Sequence, residues 1–370
     1  MSLFSDIKNK DVSVQLSTDD TDTDWDSFLG NARGGQFEQT SMWGRVKELE
    51  GWKPLRVTFS EKEMIIGGFQ ILARSKEFYG RIGYVSKGPV LGPQVLNRLP
   101  DIIGTMKKTA RAYRIDALLV HPPDVYPEIS RALEDHGFMP NMVKNLIQNA
   151  TVVIDVEKDD DALFASVKRQ KRQNIKRARD SGVTVREGSF EDLRSFHAFM
   201  LETCKRLGVA PNPSRIESLL LMWKIFQPAG KIRLFFAHYR GEDIAGIIAI
   251  PFGNTVNLWK FGWTGKFAEL RPNDLLFWEI FKWSRNAGYR KVDLVHITAD
   301  SAHESVQHGD RASSEQKTSS FFKLSWGGDV VLLPEGYVYC HNPLVKALYR
   351  PASKMVNSIP RLRRKLAGAI

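Results

Sequence analysis

Seven cations fall within twelve residues of this chain: Lys168, Arg169, Lys171, Arg172, Lys176, Arg177 and Arg179, with no acid before Asp180. Charge of one sign at that density attracts a polyanion, which points to phosphates. The run reads as one helix from Asp159, Asp160 and Asp161 to a stop at Gly182, acids first and cations last, as the helix dipole favours. Phe164, Val167, Ile175 and Ala178 give it a thin apolar stripe, broken at Lys171, so the helix is expected to lie on a domain. Without a partner, the same cations are simply a solvated face.

Other reactive side chains form no catalytic pattern. The eight histidines are scattered; His296, His303 and His308 are near neighbours, but their spacing matches no zinc site. Gly34-Gly35 and Gly67-Gly68 are too short for a phosphate loop. Cys204 and Cys340 are the only cysteines, and Cys204 falls on an apolar helix stripe, which argues against a disulfide framework and a thiolate metal cluster. Neither a metal nor a cofactor is expected.

A length of 370 residues exceeds one ordinary core, and 42% hydrophobic with 26% charged residues suffices for two. A net charge of +11 favours nucleic acid, nucleotide-linked substrates or anionic headgroups as partners. The first twenty residues lack an apolar signal core and no run is apolar enough to span a bilayer, so a cytoplasmic location is expected, with membrane contact only peripheral. Near the end, Lys346, Arg350, Lys354, Arg361, Arg363, Arg364 and Lys365 interleave with Leu344, Leu348, Met355, Ile359 and Leu366. That pattern suits an anionic bilayer surface and equally a frayed basic helix end.

Periodicity predicts a strand over 151–155, the basic helix, a helix opened by Ser189 and Asp192 with Leu193, Phe196, Met200, Cys204 and Leu207 on one face, and a helix from Pro213 to Phe226. Strands over 232–239, 244–252 and 256–263 follow, then a helix from Asn273 to Ala287 and a strand over 291–297. The first half repeats this order: a helix over 40–49, strands over 55–59, 64–72 and 81–85, a helix over 99–113 and a strand over 116–120. Leu55 to Gly67 lies over Leu234 to Gly246 without a gap, with Glu63 on Glu242 at the turn. The prediction is an α/β (α+β) protein of two divergent copies: residues 1–30 as an N-terminal segment, domains over 31–150 and 151–335, and a basic tail over 336–370.

Helix, three-stranded meander, crossover helix and strand is the element order of the general-control N-acetyltransferase (GNAT) fold, so two tandem GNAT-like domains with mixed sheets are expected. The Arg/Gln-x-x-Gly-x-Gly/Ala turn of acetyl-coenzyme A enzymes is missing after 256–263, where Thr264-Gly265-Lys266-Phe267-Ala268-Glu269 stands, which argues against ordinary coenzyme A acetylation. Local signatures resemble the Fem family of peptidoglycan bridge-forming aminoacyltransferases. They run from Phe37-Glu38-Gln39-Thr40-Ser41-Met42-Trp43-Gly44-Arg45-Val46-Lys47, through Thr203 to Gly208 and Trp259-Lys260-Phe261-Gly262-Trp263, to Pro272-Asn273-Asp274-Leu275-Leu276 and Phe321-Phe322-Lys323-Leu324-Ser325-Trp326. Two departures stand out: Val295-His296 where that family often has Gly-Gly, and Trp259 and Phe261 where it has tyrosines.

The resemblance implies transfer of an aminoacyl group from aminoacyl-tRNA to an amine of a nucleotide- or lipid-linked muramyl peptide, the donor being a co-substrate. An amine brings its own nucleophile, so no Ser-His-Asp set is required. By resemblance Lys323 is the catalytic cation that stabilises the oxyanion or a substrate phosphate, and Arg45, Lys47, Arg206, Trp259, Phe261 and Phe322 bind the acceptor. The seven cations of the basic run would bind the tRNA. Two other readings fit the sequence: a GNAT-fold N-acyltransferase of polysaccharide or lipid assembly with another donor, and a non-catalytic RNA-binding protein.

Overall fold

The computed structural model describes residues 12–359 except 77–79, 145 and 309–317. Two compact units divide the chain: residues up to Ile147 together with those from Leu333 onward, and Gln148–Leu332. Along the first unit run β1 (Val12–Ser17), α1 (Thr23–Asn31), α2 (Ser41–Glu48), β2 (Lys53–Glu61), β3 (Met64–Lys76), β4 (Gly80–Val85), β5 (Val90–Leu91), α3 (Leu99–Ala112), β6 (Ala117–Val120), α4 (Glu128–Asp135) and β7 (Met139–Pro140). The second has β8 (Ala150–Asp155), α5 (Asp160–Ser166), α6 (Arg169–Asp180), β9 (Thr184–Glu187), α7 (Leu193–Leu207) and α8 (Ile216–Phe226). It continues through β10 (Arg233–Tyr239), β11 (Glu242–Phe252), β12 (Thr255–Trp263), α9 (Pro272–Asn286), β13 (Lys291–Asp293), α10 (Ala299–His308), α11 (Ser319–Leu324) and β14 (Asp329–Leu332). The chain then returns to the first unit as β15 (Tyr337–Cys340) and α12 (Pro343–Ser358).

Both units are GNAT-like mixed α/β domains. The sheet orders are β1-β2-β3-β4-β6-β15-β7 and, read from the equivalent edge, β9-β10-β11-β12-β13-β8-β14. In each, the fourth strand pairs in parallel with the fifth, β4 with β6 and β12 with β13. The sixth place in each sheet belongs to a strand distant in sequence from its neighbours: β15, from the far end of the chain, in the first, and β8, the first strand of its unit, in the second. The tail expected over 336–370 is therefore part of a domain as far as residue 358, because Tyr337 to Cys340 fill a slot in a buried sheet. Arg361, Arg363, Arg364, Lys365 and Leu366 lie outside the described residues. Similarly, the expected boundary at residue 30 would cut α1, whose Trp25 is fully buried and donates from Nε1 to the Gln39 carbonyl at 2.8 Å. Gly68 allows this packing, since a Cβ there would lie 2.9 Å from the indole.

The repeat itself is closer than the ungapped overlay. Leu55 pairs with Ile71 and Glu61 with Met64; Arg233 pairs with Ala249 and Tyr239 with Glu242. Both hairpins carry a bulge at the same place, Phe59/Ser60 and Ala237/His238. Leu55 thus corresponds to Arg233 rather than Leu234, and Glu63 to Gly241 rather than Glu242. The overlay is one residue out of register, a slip that would exchange the two faces of each strand.

The basic segment is two helices, not one. Val167 takes an extended ψ of 137° and closes α5, and Lys168 starts α6. Arg172 holds the corner by donating to the carbonyls of Ala165 (2.7 Å) and Val167 (2.5 Å). Val167, Ile175 and Ala178 are all buried, so the chain is anchored on both sides of the break.

Candidate active site

A bulge shapes the second sheet where its third strand meets its fourth. In the second unit β12 carries one extra residue, Trp259, between Leu258, opposite Ala249, and Lys260, opposite Ile248. Bulges of this kind bend the strand and re-aim side chains. Past this point the parallel ladder stops: β12 and β13 pair only over Thr255–Asn257 and Lys291–Asp293. Beyond it β12 stays on β11, while Leu294 and Ile297 donate to Val152 and Ala150 of β8 at 2.9 and 3.0 Å. The sheet opens between them.

In the first unit the corresponding gap is closed. The chain leaves β4 at Ser86 and rejoins β3 as β5, and the Gln39 amide fills the break by donating to Ser86 O at 2.7 Å and accepting from Gln70 N–H at 2.7 Å. There the parallel ladder continues through His121 N–H to Val85 O (2.9 Å) and Gly88 N–H to His121 O (3.0 Å).

At the opening in the second unit, Lys323 reaches in from α11 and donates to the His296 carbonyl at 2.9 Å. The His296 carbonyl sits on an unusual backbone. Val295, β-branched, has φ 60°, a left-handed conformation that costs of order 1–3 kcal/mol for such a residue. Asp293 holds that turn, accepting from Val295 N–H at 2.7 Å and, at very short range, from the Thr151 hydroxyl. Burial lowers Lys323 to about 8, Asp293 opposing the shift and Lys260 adding to it. Lys260 lies beside Trp259, its ammonium 4.8 Å from the ring centre. Lys323 and Lys260 thus place two cations near one another where the sheet parts, a setting that favours charge developing on an oxyanion.

A pocket of about 790 Å3 lies in the same unit, with Lys168, Lys171, Trp263, Arg271, Phe321 and Phe322 in its wall. Lys171 is only 5% exposed and forms an ion pair with Asp274 at 2.5 Å. Its ammonium lies 3.5 Å from the Phe322 ring centre and 5.0 Å from that of Trp326. Asn174 donates to the other Asp274 oxygen at 3.0 Å. Desolvation lowers the Lys171 pKa, against the pull of Asp274.

Of the residues singled out in the sequence, Lys323 and Trp259 both lie where the sheet opens, and Phe322 and Lys168 both line the pocket. Arg206 joins the pocket's edge through Trp263, stacking 5.0 Å from that ring and donating to its carbonyl. Phe261 packs towards Phe277, with ring centres 6.1 Å apart. Arg45 is exposed on α2 of the first unit, whereas Lys47 is buried, held by Glu50 at 2.6 Å and beside the Trp43 ring. Along α6, Arg169, Lys176, Arg177 and Arg179 are exposed, Arg179 within 3.4 Å of Glu279. Lys171 turns inward and does not belong to the outer cationic face. Lys260, Asp274 and Asp293 were missed as site residues; the first two lie within segments that carry the family resemblance, as does the pair Asp293-Leu294, and Asp274 also occupies the first turn of α9, where an acid suits the dipole.

Residues 165–303, all within the second unit, match the model of the acetyltransferase (GNAT) domain. A lipid II:glycine glycyltransferase of Staphylococcus aureus (strain bovine RF122 / ET3-1) is 26% identical over 198 residues, 51% of this chain and 47% of that protein. The chain thus spans about half the length of the curated relatives it matches. The crystal structure of FemX aligns with a TM-score of 0.77 at 18% identity, covering 90% of this chain and all of that one. A tandem GNAT protein from the clavulanic acid biosynthesis pathway aligns at 0.52 and 8% identity, covering 90% and 99%.

Proposed function

We propose that this chain, a relative of the Fem-type transferases in sequence and fold, is an acyltransferase that moves an aminoacyl group from aminoacyl-tRNA to an amine of a muramyl-peptide precursor. Lipid II, the acceptor in the relatives' name, is the acceptor we assign. The observation that carries this reading is Lys323, enclosed where the second sheet opens, with its charge aimed at a carbonyl oxygen.

The acceptor amine attacks the aminoacyl ester. A C–N bond forms, the carbonyl oxygen takes negative charge, and collapse expels the ribose oxygen, which gains the proton the amine loses. Lys323 donates to the oxyanion, and release from the His296 carbonyl frees its proton for that purpose. Lys260 adds positive potential from β12. The pocket beside α6 and α9 receives the donor's terminal nucleotide, with Phe321, Phe322 and Trp263 as stacking faces and Lys168 and Arg271 near phosphate. The exposed cations of α6 carry the rest of the tRNA. Such a donor stays a co-substrate, and no bound cofactor enters the scheme.

The test is a turnover assay in which the full chain receives tRNA charged with labelled amino acids, and lipid II. Label in the lipid fraction is the expected result. Binding of tRNA without transfer would overturn the enzymatic reading in favour of an RNA-binding protein.

The pH profile gives a second prediction. Lys323 carries its charge below its pKa and loses it above, so kcat should fall as pH rises through about 8. In Lys323→Arg the guanidinium stays charged, and that basic limb should vanish from the profile whatever the residual rate. A limb unchanged in the Arg variant would assign it to another group.

A further inference from the structure

We propose that α12 docks the protein on an anionic bilayer. This helix of 16 residues presents two apolar faces, and only one of them is covered. Val345 and Tyr349 pack on Leu119, Ile147, Val338 and Cys340. Tyr349 donates to Asn141 Oδ1 at 3.1 Å, and Asn357 donates to the Met142 carbonyl at 2.7 Å, so the helix is fixed to its domain.

Facing away are Leu344, Leu348 and Met355, at 73%, 64% and 55% exposure. At about 100° per residue they fall within an arc of about 40°. Ile359, just past the helix end, is 44% exposed. Three exposed cations, Lys346, Arg350 and Lys354, form a second row at a spacing of four, centred about 140° round the helix from the apolar one. No acid occurs after Glu335 in the sequence, which continues through Arg361, Arg363, Arg364 and Lys365 beyond the described residues.

The apolar row sinks into the acyl boundary while the cations on the polar side add attraction to anionic headgroups, the pattern of an interfacial helix. A second copy of the chain would set two cationic helices side by side, and their like charge opposes self-association through this face. Three large aliphatic side chains have nothing to gain from a sugar-phosphate backbone, which sets RNA aside. The inference needs no substrate and stands apart from the transfer reaction.

The full chain should co-sediment with vesicles of phosphatidylcholine containing phosphatidylglycerol, and bind phosphatidylcholine alone about tenfold less or weaker. Raising salt to about 1 M, where the Debye length is about 3 Å, should release much of it. Leu344→Glu, Leu348→Glu and Met355→Glu together should lower vesicle binding by at least about tenfold, with an unchanged melting temperature because all three side chains are exposed. Lys346→Gln, Arg350→Gln and Lys354→Gln together should remove the preference for phosphatidylglycerol. Transfer to a water-soluble muramyl peptide should survive the triple Glu change, which separates this inference from the enzymatic one. Absence of vesicle binding in the wild type, binding untouched by the triple Glu change, a dimer that the change dissociates, or loss of RNA binding alone would each overturn the proposal.

Discussion

Replacing Lys323 by Met should lower turnover by about a hundredfold to a thousandfold, the usual cost of removing one preorganised charge from a developing oxyanion. Met keeps the length of the stem and removes the ammonium. The structure adds a second expectation that sharpens the test. Because burial makes this lysine more acidic in the folded chain than in the unfolded one, its charge opposes folding at neutral pH. In the wild type that penalty is fully present below about 8 and fades as pH climbs to the ordinary lysine value of 10.5, so stability should rise over that window. Met removes the penalty and leaves the His296 carbonyl without its donor, two effects of opposite sign, so the melting temperature should stay near wild type. Arg is a poor replacement, since its planar fork aims differently from a point charge. Turnover within about threefold of wild type on the true substrates, far short of the expected loss, would end the catalytic assignment of Lys323.

Lys171→Met should act on stability first. Its partner Asp274 is 4% exposed, and deleting one member of a buried ion pair leaves the other charge unpaired, a loss of about 3–5 kcal/mol. Asn174 still donates to Asp274, which places the expectation at about 3 kcal/mol, the lower end of that range. Adding Asp274→Leu should recover most of the loss, because an apolar pair of similar volume avoids the desolvation that already lowers the Lys171 pKa. Chemical denaturation of the two variants checks this directly. Had Lys171 faced solvent as part of a tRNA-binding row, the single change would cost almost nothing in stability and would weaken RNA binding instead. Pocket shape should also suffer, since the Lys171 ammonium lies against Phe322.

Much of the architecture can be read locally. Alternating and helical periodicities placed the meander of each half, and Thr40, where the sequence put the helix start, caps α2 by accepting from Trp43 N–H at 3.1 Å. The repeat of two units was legible because both hairpins need the same turn and the same bulge. Its register was not, because Leu55 and Leu234 look alike in sequence while hydrogen bonding across the strands decides which residue faces which.

Three features belong to the tertiary structure alone. Periodicity cannot tell that β8 and β15 occupy the sixth place of their sheets, since pairing partners over such distances are chosen by which slot remains open in a sheet that already exists. The inward turn of Lys171 depends on a carboxylate 103 residues away, and no local pattern announces that an apparent break in an apolar stripe will be neutralised there. Lys323 is the sharpest case. Its sequence neighbours marked it by resemblance, but its setting arises from an extra residue on β12, a ladder that ends at Asn257 and Asp293, and a left-handed Val295 that aims the His296 carbonyl at it. Sequence by itself determined which elements form, because helices and strands answer to neighbours a few residues apart. Where the sheet opens, and hence which lysine is partly enclosed there with its charge open to a reacting group, is decided by hydrogen bonds and packing between segments far apart in the chain.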